Sequence, residues 1–177
     1  VLVKSLWGIS ESSFIRNMVV IDDLLFYFLE TPEEGCELYV SDGTSEGSKM
    51  VLDICPGQCS GIQSIFHMFV HNSVLYFSGN DPAHGSELWR SDGTAEGTFM
   101  IKDINPNTYS NAPYFIGVLN DEIYFLSNDN VHGRELWKTN GQRNNAVLLK
   151  DIYEGSFTGS IIGGASNGKY LFFGATT

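Results

Sequence analysis

The sequence has few basic residues, and it contains no long apolar run. Ten lysines and arginines stand against 21 aspartates and glutamates, which gives a formal net charge of −11. Nucleic acids and anionic membranes bind clustered cations, so this scarcity argues against both partners. The longest apolar stretches, such as residues 24–29, are far shorter than the roughly 20 residues that a membrane-spanning helix needs. We expect a soluble chain that neither binds nucleic acid nor inserts into a membrane.

Cysteine is also scarce, with only Cys36, Cys55 and Cys59 in the chain. The segment Cys55-Pro-Gly-Gln-Cys59 reads as a turn that a short disulfide would close, and three free thiols are the alternative. The spacing offers no second Cys or His pair for zinc. We predict a Cys55–Cys59 disulfide, one leftover thiol, and an oxidising location that is extracellular or at the cell surface. No Asn-x-Ser/Thr glycosylation acceptor occurs to support that location.

A repeated segment organises the chain. It reads ELYVSDGTSEGS from residue 37 and ELWRSDGTAEGT from residue 87, and a diverged copy, ELWKTNG, begins at residue 135. The copies are 50 and then 48 residues apart. A period of this length indicates an array of one supersecondary unit, and four-stranded propeller blades are the commonest unit of that length.

Each unit contains four short strands. An apolar strand such as 17–21 leads through Asp22-Asp23 into a second strand, 24–29, and Asn and Asp at such joins tolerate the left-handed backbone of tight hairpins. The second strands (LLFYFL, VLYF, IYFL and YLFF) are apolar at every position, which indicates that both of their faces are covered. A Gly- and Asp-rich loop then leads to the Glu-Leu-Trp strand, and the Ser-Asp-Gly-Thr turn leads to a fourth strand, 49–54 or 99–104.

The sequence therefore predicts an all-β chain, part of a β-propeller ring built from antiparallel four-stranded blades, with about 3.5 repeats. Residues 1–6 would be the last strand of a preceding blade. Complete blades are expected at 14–54, 65–104 and 114–152, and a partial blade at 161–177. The chain starts at Val1 without a leader pattern, so we expect a processed or truncated start. Closed propellers carry roughly 4 to 8 blades, so about 3.5 repeats predict either a longer chain or another chain that completes the ring.

The string Glu-Leu-Trp-x-Ser-Asp-Gly-Thr-x-x-Gly-Thr, followed by an apolar strand ending in Lys102-Asp103-Ile104, resembles the unit of the ELWxxDGT repeat proteins. The resemblance implies a large, secreted or surface-associated, propeller-like repeat protein with no agreed activity. In the turn itself, Asp42 and Asp92 are expected to accept backbone N–H bonds, while Gly43 and Gly93 adopt positive φ. The third copy has Thr139-Asn140-Gly141-Gln142 instead, which predicts a looser or longer turn there and no role that requires the aspartate.

Candidate binding residues are expected on one face of the blades, where the second-to-third strand loops and the unit-to-unit links emerge. These residues are His84, His132, Asp81, Asp129, Tyr109 and Phe157, together with Trp7 and Tyr153. Aromatic rings beside carboxylates suit sugars, whereas the alternative is that the His-Gly pairs only shape tight loops. Because the copies lie a blade apart, one metal ion would not bind both histidines, so we expect no metal and no cofactor.

No catalytic sequence motif is present, and we expect no catalytic residues. Glu37, Glu87 and Glu135 begin third strands and are predicted to accept backbone hydrogen bonds rather than act as acid or base. The first hypothesis is a binding or structural assembly module for a protein or glycan partner. The alternative is a carbohydrate-active hydrolase or lyase that uses Asp81 or Asp129 with a histidine.

Overall fold

The computed structural model describes residues 12–106, 112–152, 154–155 and 161–175. The regular elements in these stretches are all β-strands, which confirms the all-β prediction. They form three four-stranded antiparallel sheets and one two-stranded sheet. Within each sheet the strands lie in chain order, so consecutive strands are neighbours. No helix in the described part of the chain is long and apolar enough to cross a membrane.

The four sheets follow one another along the sequence. The first sheet contains β1 (Phe14–Ile21), β2 (Leu24–Thr31), β3 (Gly35–Ser41) and β4 (Lys49–Leu52). The second contains β5 (Ile62–His71), β6 (Val74–Asp81), β7 (Gly85–Ser91) and β8 (Phe99–Met100). The third contains β9 (Tyr114–Leu119), β10 (Glu122–Asn128), β11 (Arg134–Thr139) and β12 (Ala146–Lys150). The two-stranded sheet contains β13 (Ile161–Ser166) and β14 (Leu171–Ala175).

The fourth strands are shorter than the sequence predicts. β4 ends at Leu52 rather than at residue 54. The strand stops there because the N–H groups of Ile54 and Cys55 donate to the Glu37 side chain instead of to a neighbouring strand. β8 ends at Met100 rather than at residue 104. The strand predicted at residues 1–6 lies outside the described residues.

Tight hairpins join the first and second strands of the sheets, as the sequence predicts. Left-handed φ angles between 49° and 60° occur at the joining residues Asp22, Asn72, Ser73, Asn120 and Asp121. Asn and Asp tolerate this conformation better than most side chains, because a short polar group can hydrogen-bond to the local backbone. The hairpins fix the register of each strand pair, so Ile21 lies opposite Leu24 and Leu119 lies opposite Glu122.

The described chain divides into two compact units, each with its own core. The first unit runs to Ala83 and also includes Trp89–Phe99. Within it, the Phe28 and Phe77 rings lie 5.9 Å apart, and a Cβ atom built on Gly93 would lie 3.1 Å from Phe26 Cζ. The face of the first sheet that carries Phe26 and Phe28 therefore packs against residues of the second sheet.

The second unit comprises His84–Leu88 and the described residues from Met100 onwards. Its core contains Ile116, Leu126 and Leu136, with Leu171 of β14 packed against them. A Cβ atom on Gly117 would lie 3.0 Å from Leu171 Cδ1, so a glycine at this position lets the third sheet and the two-stranded sheet approach closely. The backbone N–H of Asn144 donates to the Ile101 carbonyl at 2.6 Å.

The second strands of the three four-stranded sheets are buried on both faces over most of their length, as their unbroken apolar pattern predicts. Buried residues on opposite faces include Phe28 and Leu29 in β2, Tyr76 and Phe77 in β6, and Phe125 and Leu126 in β10. The prediction is wrong for β14, where Phe172 and Phe173 are exposed. In the described part of the chain, no further sheet packs on the face of the two-stranded sheet that carries Phe172.

Candidate functional site

The loop between β10 and β11 carries the best-defined pair of candidate residues. Asp129 Oδ1 accepts the backbone N–H groups of Val131 at 2.9 Å and His132 at 2.8 Å, while Asp129 Oδ2 lies 2.7 Å from His132 Nδ1. Gly133 follows with a φ of 76°. The Asp129 carboxylate therefore holds the loop together by its hydrogen bonds and keeps the His132 imidazole in one orientation.

Each member of this pair shifts the pKa of the other. The hydrogen bond that His132 donates to Asp129 raises the pKa of His132 above its usual value, and the charges of Asp129 and Asp151 act in the same direction. Burial by itself would raise the pKa of Asp129. The hydrogen bonds from the His132 backbone, the His132 ring and the Val131 backbone outweigh burial and lower it. Both shifts favour the charged forms of the two groups, a carboxylate and an imidazolium.

The equivalent loop after β6 uses its aspartate in a similar way. Asp81 Oδ1 accepts the Ala83 N–H at 2.8 Å, forming an Asx-type turn. His84 follows and is half-buried, and Gly85 has a φ of 70°. The structure thus joins Asp129 to His132 and Asp81 to the Ala83 backbone. The aromatic candidates Trp7, Tyr109, Tyr153 and Phe157 lie outside the described residues.

The glutamates that begin the third strands are buried, and each accepts backbone hydrogen bonds, as predicted. Glu37 is 0% exposed, and its carboxylate accepts the N–H groups of Ile54 at 3.1 Å, Cys55 at 3.2 Å and Gly61 at 2.8 Å. Glu87 accepts the Asn105 N–H at 2.8 Å. Glu135 accepts the Ile152 N–H at 3.0 Å. The repeat therefore uses this residue to tie each third strand to the link that follows the fourth.

Glu37 is the most enclosed of these carboxylates. Burial raises the pKa of Glu37 to about 7, although the three backbone N–H donors act in the opposite direction. A Cβ atom on Gly61 would overlap the Glu37 carboxylate. The Gly61 N–H can therefore approach the carboxylate because this residue has no side chain. The carboxylate is sealed inside the sheet-to-link junction, where a dissolved substrate has no access.

The link that donates to Glu37 contains the disulfide between Cys55 and Cys59, whose Cα atoms lie 5.5 Å apart. Cys36 is a free, buried thiol, and burial raises the pKa of Cys36 to about 12. A Cβ atom on Gly35 would overlap the Cys59 carbonyl oxygen. The disulfide loop is therefore packed against the first residue of β3.

The polar groups of the Ser-Asp-Gly-Thr turns hydrogen-bond to one another within each turn. Asp92 Oδ1 accepts the Thr94 N–H at 2.9 Å and the Thr94 hydroxyl at 2.7 Å, and Thr94 Oγ1 accepts the Gly97 N–H at 3.0 Å. Asp42 and Thr44 repeat these contacts. Burial by itself would raise the pKa of Asp92, but the Thr94 bonds and the Arg90 charge lower it. The predicted positive φ is confirmed at Gly43 and Gly93, where it is 89°.

The prediction of a looser third turn is wrong for its first half. Asn140 Oδ1 accepts the Gln142 N–H at 3.0 Å, and Thr139 Oγ1 accepts the Gly141 N–H at 3.1 Å. In place of the threonine bridge, the Asn145 side chain accepts the Asn140 N–H at 3.1 Å. An asparagine can thus replace the aspartate because its amide oxygen supplies the same acceptor.

The sequence analysis did not identify one set of surface residues, the large apolar side chains that are exposed on strands. They are Phe14, Ile15, Met18 and Val20 in β1, Val70 in β5, Val147 and Leu149 in β12, and Phe172 and Phe173 in β14. Residues 171–173 have the same apolar pattern as their covered counterparts in β2 and β6, so the pattern by itself gave no signal of this exposure.

Among the residues that the structure describes, no three His, Cys, Asp or Glu side chains come together as a metal ion would require. No protein-family model matches the chain, and a search of curated proteins finds no match. The resemblance to the ELWxxDGT repeat proteins stays a prediction.

Proposed function

We propose that the chain is a binding or assembly module: part of a β-propeller-type repeat array in a secreted or cell-surface protein. The proposal rests on one observation: the repeated carboxylates accept hydrogen bonds from the chain's own backbone. Glu37, Glu87 and Glu135 accept backbone hydrogen bonds, and Asp42 and Asp92 close their own turns. A catalytic site needs one converging set of reactive groups, whereas these groups recur once per repeat and stabilise the scaffold.

The loops between second and third strands are the proposed contact face for a protein or glycan. Here the Asp129–His132 pair fixes the loop, and Val131 at its tip is 65% exposed. A loop held by three hydrogen bonds to one carboxylate loses little conformational entropy when a partner binds. The partner would therefore meet a preorganised surface.

The secreted or surface location is supported by the Cys55–Cys59 disulfide, since such bonds persist in oxidising compartments. A ring of blades is supported by three sheets of the same order and by the packing of the first sheet on the second within one unit. Neither point bears on the identity of the partner.

The decisive experiment combines binding with turnover. The chain would be applied to glycan and extracellular-protein arrays, and the same preparation would be incubated with soluble polysaccharides while reducing ends are measured. Retention without release of reducing ends supports the proposal. Reducing ends that accumulate with time, and that disappear in Asp129→Asn or Asp81→Asn, would overturn it in favour of a hydrolase. A lyase would instead be detected by the absorbance of unsaturated products.

A further inference from the structure

Two Asn-Gly pairs occur in the sequence, Asn140-Gly141 and Asn167-Gly168. Asparagine followed by glycine is chemically labile, because the glycine backbone nitrogen can attack the asparagine side-chain carbonyl carbon without hindrance from a Cβ atom. Each pair lies in a turn of the second compact unit. Whether either pair reacts in the folded chain depends on how readily its turn opens.

The two turns are held by the same local hydrogen bonds. In each, the glycine N–H donates to the hydroxyl of the residue before the asparagine, at 3.1 Å to Thr139 Oγ1 and at 3.1 Å to Ser166 Oγ. The asparagine Oδ1 accepts the N–H of the residue after the glycine at 3.0 Å in both turns. The glycine N–H bond must break before that nitrogen can lose its proton. The local bonds therefore slow both pairs in a similar way.

The turn that contains Asn140 is embedded in its surroundings. Thr139 is 1% exposed, and Gly141 is buried. Asn144, in the same turn, donates its N–H to the Ile101 carbonyl at 2.6 Å. Opening this turn therefore also disturbs the edge of a four-stranded sheet and the bond to Ile101.

The turn that contains Asn167 is open to solvent. Asn167 and Gly168 are both exposed, and no atom of the described residues lies within 4 Å of a Cβ position on Gly168. The turn joins β13 to β14, and an exposed hairpin tip opens at little cost in free energy. The corresponding tips of the four-stranded sheets are exposed as well, at Asp22, Asn72 and Asn120. The exposure therefore belongs to this position in the repeat.

We propose that Asn167-Gly168 is a site of spontaneous deamidation in the folded chain, and that the fold protects Asn140-Gly141. The Gly168 nitrogen forms a bond to Asn167 Cγ, the Cγ–Nδ2 bond breaks, and ammonia leaves with the proton of the Gly168 N–H. The product is a succinimide, and water then opens either of its carbonyls to give aspartate or isoaspartate. This modification is independent of the proposed binding role.

Either product changes the β13–β14 hairpin. Both add one negative charge at residue 167. An aspartate keeps an oxygen acceptor for the N–H groups of Lys169 and Tyr170, which donate to Asn167 Oδ1 at 3.0 Å and 2.9 Å. An isoaspartate instead places an additional methylene group in the main chain, next to the paired residues Ser166 and Leu171. The isoaspartate form therefore alters the hairpin that holds Leu171 against the core of the second unit.

The test is peptide mapping by mass spectrometry after the purified chain has been incubated in mildly alkaline buffer, with and without urea. An isoaspartyl methyltransferase labels the isoaspartate product and distinguishes it from aspartate. In the folded chain we expect Asn167 to convert about tenfold or more faster than Asn140, because its turn opens at lower cost. In urea the two rates should converge, since neither turn is then held by the fold.

Asn167→Gln is the matched control. Glutamine keeps the amide but would have to form a larger ring, so this variant should show no conversion at residue 167 and an unchanged rate at Asn140. Circular dichroism checks that the variant is folded, and the comparison of the two sites in the parent chain does not depend on it. Equal rates in the folded chain, or a rate ratio that stays the same in urea, would overturn the inference. The array experiment on freshly purified chain tests the proposed function separately.

Discussion

The carboxylate of Asp92 occupies the space in which a Cβ atom on Gly97 would lie. Asp42 and Gly47 have the same relationship one repeat earlier. The two glycines of the Asp-Gly-Thr-x-x-Gly segment are thus required for different reasons. Gly93 adopts a φ of 89°, which favours glycine, whereas Gly97 leaves room for the aspartate that caps the turn.

This relationship predicts a non-additive double mutant. Gly97→Ala should destabilise the chain by about 1–2 kcal/mol, because the new methyl group displaces the Asp92 carboxylate from its bonds to Thr94. In an Asp92→Ala background the same substitution should cost less, with a coupling of about 1 kcal/mol. Urea unfolding followed by circular dichroism measures all four proteins, and Glu96→Ala is the exposed control. Strictly additive effects would contradict the overlap.

Removing the Glu37 side chain is expected to be costly. Glu37→Ala leaves the N–H groups of Ile54, Cys55 and Gly61 without their acceptor in a buried junction. An unsatisfied buried donor costs about 1–3 kcal/mol, so we expect a loss of roughly 3 kcal/mol in the free energy of unfolding. Glu33→Ala is the matched control on the exposed loop nearby. Equal stability of the two variants would contradict the structural role.

The same carboxylate predicts a pH dependence. Burial raises the pKa of Glu37 from an ordinary value of 4.5 to about 7, so the folded chain binds a proton more tightly than the unfolded chain does. Stability from this group is therefore full below about pH 4.5 and declines as the pH rises towards about 7. Glu37→Gln cannot titrate, and the unfolding free energy of this variant should decline less over that interval. Parallel pH profiles for the variant and the parent would argue against the raised pKa.

Thiol counting separates the three cysteines. Cys36 is buried, and the pKa of its thiol is raised to about 12, so iodoacetamide should not label the folded chain. Unfolding without reductant should expose one reactive thiol, and unfolding with reductant should expose three. Intact-mass spectrometry reads each state directly. Three labelled thiols before reduction would rule out the Cys55–Cys59 bond.

His132 offers a local test of the loop. The hydrogen bond to Asp129 raises the pKa of His132, so Asp129→Asn should lower that pKa towards its usual value. An NMR titration of the imidazole protons measures the shift. The other histidines serve as internal controls, because only His132 should respond. Since the pKa of His132 is raised in the folded chain, this pair stabilises the loop below the ordinary pKa of histidine and loses that effect as the pH rises through the raised value.

Much of the local structure followed from the sequence. The 50- and 48-residue spacing, the Asn and Asp residues at hairpins, and the Ser-Asp-Gly-Thr turns predicted three repeated sheets, and local backbone chemistry is enough to specify such elements. The acceptor role of Glu37 was also predictable, because a carboxylate that recurs at the start of every third strand fits a structural contact better than a single reactive centre.

Other features depended on distant parts of the chain. The apolar pattern of β14 is the same as that of β2, yet Phe172 is exposed and Phe26 is buried, because burial depends on whether another sheet covers the strand. The Asp129–His132 pair required the exact course of a loop, and β4 ended early because Glu37 takes the N–H groups of the following residues. The sequence by itself determined the strands, the turns and their period, since these depend on neighbours along the chain. Only the tertiary structure decided which apolar faces are covered and which carboxylates are enclosed, since these depend on residues far apart in sequence.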